Sequence, residues 1–307
     1  MKAAYVVFIV VIVSAVDTVI AACTFPRNVV GEWVYKTYTP RIPDNVGTLS
    51  VNETTMSLFD TSGSLFMQID CENGPNGDGI YTTRLFVNAT GSLRYRCIVI
   101  EQRDSTFTRL DLGRDSPLLA SLDCSSLGNV GTNVGLFQIN PVAKTYPIQG
   151  VFEMTYNENG ILCYDPVSAV DACKDPTVMN ISYSACPKAN KVAQQSQYQC
   201  VANWTSDSAN KGYLLTMERS VSADNIPDYH CFVYDVGNLG DTGELYLSKA
   251  GNPPWLCKAS QEEASSDDGA VAMRLTKRQD CNNGSLAAWS LGLIISMCIS
   301  SLFNAVY

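Results

Sequence analysis

Twelve cysteines and a single histidine bound the chemistry that this 307-residue chain can perform. A zinc site needs thiolates or imidazoles gathered in clusters, whereas scattered cysteines with so little histidine point to disulfides made in an oxidising compartment. The one histidine, His230, is the only candidate for an imidazole general base. It lies in Tyr229-His230-Cys231 on a predicted strand, and a surface position with no catalytic role is expected. No Gly-x-Ser-x-Gly elbow occurs, no pair of carboxylates stands out, and a bridged sulfur cannot act as a nucleophile. The segment from Asp70 to Gly79 offers oxygen ligands in a Gly-rich turn, but it lacks EF-hand spacing and the closing glutamate. A solvated hairpin loop is expected there instead of a calcium site. No catalytic, cofactor-binding or metal-binding residue is assigned, and the chain reads as a non-enzyme.

Charge narrows the partners. Lys and Arg number 21 against 30 Asp and Glu, for a net charge of −9, and such a surface repels the phosphate backbone of nucleic acids. With 46% hydrophobic and 17% charged residues, the chain is expected to fold rather than remain disordered.

Both ends read as processing signals. Met1-Lys2 followed by the apolar run from Ala3 to Val16 predicts a signal peptide over residues 1–22, with the mature chain starting at Ala22 or Cys23. No charge follows Asp280; small residues Asn282 to Ser285 precede an apolar stretch from Leu286 to Phe303. That layout predicts a glycosylphosphatidylinositol attachment signal over residues 284–307, with the lipid joined to Asn283 and with Asn282 and Ser285 as neighbouring choices. A spanning helix would want basic residues after the apolar run, yet Lys277 and Arg278 precede it. The expected location is the outer face of the plasma membrane; secretion and a single-pass type I protein are the alternatives. Sequons at Asn52, Asn88, Asn180 and Asn203 are expected glycan acceptors on that route.

The elements that carry these residues are strands. Leu65, Met67, Ile69 and Cys71 alternate with Phe66, Gln68 and Asp70, and Val271, Met273 and Leu275 alternate with Ala272, Arg274 and Thr276. Turn-forming clusters punctuate such runs, so an all-β fold is expected, as antiparallel barrels or sandwiches. Tyr95-Arg96-Cys97-Ile98-Val99 returns as Tyr229-His230-Cys231-Phe232-Val233, flanked by Cys71 and Cys124 in one half and by Cys200 and Cys257 in the other. Gly31-Glu32-Trp33 has an echo in Gly150-Val151-Phe152. Two related modules, 23–142 and 143–281, are therefore expected.

Cys298 falls in the tail, which leaves an odd number of cysteines. Cys23, Cys71, Cys97 and Cys124 allow three pairings in the first module. The repeat suggests Cys97–Cys124 and Cys231–Cys257 as equivalent bridges, with Cys163–Cys173 and Cys186–Cys200 as local ones. Cys281 is then left over and available to link two chains. Trp33 and Trp204 are expected in the core, while Trp255, on the rigid loop Asn252-Pro253-Pro254-Trp255, is expected to be exposed as an interface anchor.

Two resemblances bear on the fold. Gly31-x-Trp33 followed by strands resembles the opening of a lipocalin-type barrel. Cys23-x-Phe25-Pro26-x4-Gly31-x-Trp33 is similar to the start of a family of secreted animal proteins known only as domains of unknown function. Phe152-x3-Tyr156-x3-Gly160-x2-Cys163, Tyr183-x2-Cys186-Pro187, Cys200-x3-Trp204 and Tyr229-x-Cys231-Phe232 are similar to the same family. The resemblance implies a multi-module extracellular protein and no known activity. The functional expectation is a cell-surface module that binds a protein or a glycan. A lipocalin-like carrier of a small apolar ligand and an extracellular or mineralised matrix component are the alternatives. Aliphatic, open interiors would favour the carrier, and interiors plugged by Trp and Tyr would favour surface recognition.

Overall fold

The computed structural model describes residues 23–38, 46–125, 127, 132–206, 210–219, 227–235, 244–251, 253–258, 260–262, 264 and 270–281. The predicted leader, Asn283 and the apolar C-terminal segment lie outside the described residues.

The chain folds as two closed eight-stranded antiparallel barrels. The first comprises β1 (Gly31–Tyr38), β2 (Val46–Val51), β3 (Thr55–Phe59), β4 (Leu65–Asn73), β5 (Ile80–Val87), β6 (Ser92–Asp104), β7 (Phe107–Ser116) and β8 (Thr132–Gln138). The second comprises β9 (Val151–Glu158), β10 (Ile161–Asp175), β11 (Val178–Tyr183), β12 (Gln194–Thr205), β13 (Lys211–Glu218), β14 (Asp228–Asp235), β15 (Glu244–Lys249) and β16 (Val271–Gln279). Pairing of β1 with β8 sets Tyr35 opposite Leu136, and pairing of β16 with β9 sets Leu275 opposite Met154. Closure leaves neither sheet with an open edge.

The period-two pattern is what fills the interiors. Phe152, Met154 and Tyr156 point inward from β9, as do Trp33 and Tyr35 from β1. Each such side chain removed from water contributes ~1.5–3 kcal/mol. Both barrels are entered in one way: Gly31 and Gly150 adopt φ +141° and +145°, where a side chain would be strained. The ring two residues later, Trp33 or Phe152, then turns into the barrel. Trp33 Nε1 donates to the Val29 carbonyl at 2.9 Å and so holds the entering segment beneath the first barrel.

The barrels lie side by side with their entry ends on the same side. Thr106 Oγ1 donates to the Val201 carbonyl at 2.8 Å near that end, and Lys36 pairs with Asp228 at 3.2 Å near the far end. Between these contacts Phe137 stacks on Tyr229 with centroids 3.9 Å apart, and Phe107 stacks on Trp204 at 5.9 Å. A register shift in β12 between Cys200 and Ala202 breaks the alternation, so Val201 and Ala202 both join this seam. Burial here pushes the Tyr229 phenol up to about 12.

Trp255 corrects an expectation. It is 1% exposed, and its ring meets Phe137 edge-on at 6.1 Å. Gly135 on β8 makes the space: a Cβ there would lie 2.9 Å from both Phe137 and Trp255. The Pro-Pro loop does present an anchor, but it engages the other barrel of the same chain.

The disulfides also depart from the expected set. Cys97–Cys124 and Cys231–Cys257 occupy matching places, each joining an outward cysteine of β6 or β14 to the far-end connection that follows the next strand. Cys23 pairs with Cys71. Cys163, however, bonds Cys186, and Cys173 bonds Cys281. Cys163 and Cys173 sit near opposite ends of β10, roughly 30 Å apart at ~3.3 Å per residue, and cannot meet. Cys186 is at the far end while Cys200 faces inward near the entry end, so that pair fails for the same reason. Cys281 is therefore engaged within its own barrel, which removes the expected chain-to-chain link. Cys200 is a buried free thiol, its acidity suppressed to a pKa of about 12 by burial.

Candidate functional site

The predicted sites scatter over the molecule rather than converge. Asp70 and Glu72 both face Arg84, at 3.2 and 3.3 Å, and Asn76 Oδ1 accepts from the backbone N–H groups of Asp78 and Ile80. The Asp70–Gly79 segment is thus a self-capped hairpin turn in which Asp70 and Glu72 are both paired with an arginine. Asn52 and Asn88 are exposed at turns, whereas Asn180 and Asn203 are half-buried and donate to the carbonyls of Asp171 and Thr145, each at 3.4 Å.

The place where side chains do converge is the far end of the second barrel. His230, expected on the surface, points inward from β14 with its side chain only 13% exposed. Its Nε2 meets Glu218 Oε2 on β13 at 3.0 Å, and its ring stands edge-on to Tyr198 at 5.3 Å. The hydrogen bond from His230 holds the Glu218 carboxyl below its ordinary range. Lys249 enters the same throat from β15. Its ammonium lies 5.9 Å from the Tyr198 ring, and burial lowers its pKa although Glu218 and Glu158 pull the other way. Burial also pushes the Tyr198 phenol up to about 12. At the rim, Lys191 closes on Glu158 at 2.9 Å.

This throat holds charge more readily than it moves protons. A hydrolytic triad would need the acid on one imidazole nitrogen and a nucleophile on the other. Here Glu218 occupies Nε2, and Nδ1 is buried with no hydrogen-bond partner. Among the described residues, no group of three His, Cys, Asp or Glu side chains is placed to hold a metal ion.

Above the throat stands an apolar crest that sequence reasoning missed. A register shift in β10 between Cys163 and Ser168 frees Tyr164 to Val167 from pairing with β9. Leu162, Tyr164 and Val167 are exposed, and Val192, on the loop before β12, is 77% exposed. The Cys163–Cys186 bridge and the Lys191–Glu158 ion pair fasten that loop to β10 and β9. Exposed apolar side chains mark contact surfaces when they are gathered into a patch. The available signal was Leu162-Cys163-Tyr164, where one side of the strand is tied down and the other is left out.

No curated protein matches the chain. Residues 143–277, from the linker through most of β16, are similar to a family described only as a domain of unknown function, DUF7042.

Proposed function

We propose that this chain is a non-enzymatic cell-surface glycoprotein, tethered by a C-terminal lipid, whose two duplicated barrels recognise an extracellular protein or glycan. The observation that carries the reading is the filling of the barrels. Trp33, Tyr35 and Tyr81 are buried within the first, and Tyr156, Tyr183, Tyr198, Phe232 and Tyr234 within the second. A carrier leaves its interior to the cargo; here bulky rings take that place, so recognition falls to the outside. The exposed crest of Leu162, Tyr164, Val167 and Val192 is the surface assigned to it, and the five disulfides suit an extracellular setting.

Labelled ectodomain binding to intact cells tests the contact. Tyr164→Ala with Val192→Ala should weaken binding about tenfold or more, the effect of losing a contact worth over ~1.4 kcal/mol, with no change in thermal midpoint. Unchanged binding, together with an apolar molecule carried inside the purified protein in native mass spectrometry, would replace recognition by the carrier reading. Phospholipase release from cells tests the tether separately.

A further inference from the structure

The outer face of the first barrel carries an apolar patch that lies beside a sequon. Phe66 on β4 and Phe86 on β5 are each 37% exposed, and Leu93 on β6 is 50% exposed. Phe86 and Leu93 are register partners. Asn88 follows Phe86 by two residues, in the turn just past the end of β5, and its backbone N–H donates to the Phe66 carbonyl at 3.2 Å. The sequon asparagine is thus tied by its backbone to the residue that carries one ring and lies two residues from the other. Its Nδ2 donates to the Leu65 carbonyl at 3.0 Å, which turns the amide toward β4. Thr90, the third residue of the sequon, is exposed in the turn that follows.

The geometry points to the chain's own N-linked glycan as the occupant of this patch: the first N-acetylglucosamine on Asn88 packs its C–H face and acetamido group against Phe66 and Phe86. The inference rests on the secretory route proposed above. In the attachment, Asn88 Nδ2 bonds to C1 of the sugar, the bond from C1 to its lipid pyrophosphate carrier breaks, and Nδ2 loses one proton. The second N–H remains and keeps the bond to Leu65, so the sugar starts from a fixed direction. Sugars carry a face of polarised C–H groups that suits the negative face of an aromatic ring. Exposed aromatic clusters otherwise favour association between molecules, and a sugar laid over them removes that liability. Asn180 and Asn203 have neither the exposure nor such a patch beside them.

The test is expression of the full chain in a eukaryotic secretory host, with glycopeptide mass spectrometry at every sequon. Asn88 should be occupied. Enzymatic removal of the glycan from the folded protein, or Asn88→Gln, should lower the thermal midpoint by about 2–4 °C, the usual response of a chain this size to a ~1 kcal/mol loss. In a Phe66→Ser/Phe86→Ser background the same removal should shift it by less than about 1 °C. An equal shift in both backgrounds overturns the inference. So does an empty Asn88 beside an occupied Asn52, which leaves the secretory reading standing. If every sequon is empty and every thiol reduced, the secretory reading itself has failed.

Discussion

Lys144 donates its backbone N–H to the Cys200 carbonyl at 2.9 Å, across the position where the first barrel closes a disulfide. The correspondence follows from two matched hydrogen bonds. Cys71 N–H donates to the Thr54 carbonyl as Cys200 N–H does to that of Thr177, and Phe25 N–H donates to Glu53 as Tyr146 N–H does to Pro176. Cys200 thus stands where Cys71 stands, and Lys144, two residues before Tyr146, stands where Cys23 does. The lysine instead reaches across the seam to Asp104.

Lys144→Cys should therefore form a sixth bridge with Cys200. The denatured protein should show one free thiol fewer than its parent. Closing this loop is worth ~2–4 kcal/mol, from which the lost Asp104 ion pair subtracts up to about 1 kcal/mol. A rise in the guanidinium midpoint measures the difference.

Trp255 should act as the clasp between the barrels. Trp255→Ala removes a fully buried ring and should cost about 3–5 kcal/mol. The expected signature is one thermal transition becoming two, with faster proteolysis between residues 139 and 150. Gly135→Ala should produce the same signature from the opposite side, since its methyl group would crowd Phe137 and Trp255.

Acid should loosen the second barrel through Glu218. Its folded pKa is depressed below the ordinary 4.5, first by the hydrogen bond from His230. The stabilisation is thus fully present above pH 4.5 and is lost as pH falls through the folded value. Asp104 has the same sign: burial raises its pKa, but bonds from Lys144 and Thr106 outweigh that. Glu218→Gln should cost about 1–2 kcal/mol at pH 7 and flatten the decline of the thermal midpoint between pH 5 and 3. An unchanged acid limb would show that Glu218 does not carry it.

Alternation made the strands legible in advance, and the matched Gly31 and Gly150 marked where each barrel begins. The direction of His230 was legible too, had Cys231 been used as the reference. A cysteine bonded to an outside loop points outward, so its strand neighbours point in, as Arg96 does beside Cys97 with its side chain 15% exposed. The pairings of Cys163 and Cys173 were not legible, because nearness in sequence says nothing about which end of a long strand each occupies. The burial of Trp255 was hidden for a related reason. Its cover comes from Phe137 and Gly135 of the other barrel, and no local pattern records a surface that only docking creates.

The Cys173–Cys281 bond has a mechanical consequence. Any pull on the chain beyond Cys281 arrives at that sulfur before it reaches β16, and the covalent link hands the load to β10, which is held by both β9 and β11. The final strand is shielded from being peeled away one hydrogen bond at a time. A molecule hung from its C-terminal end would bear shear across three strands instead of unzipping from one.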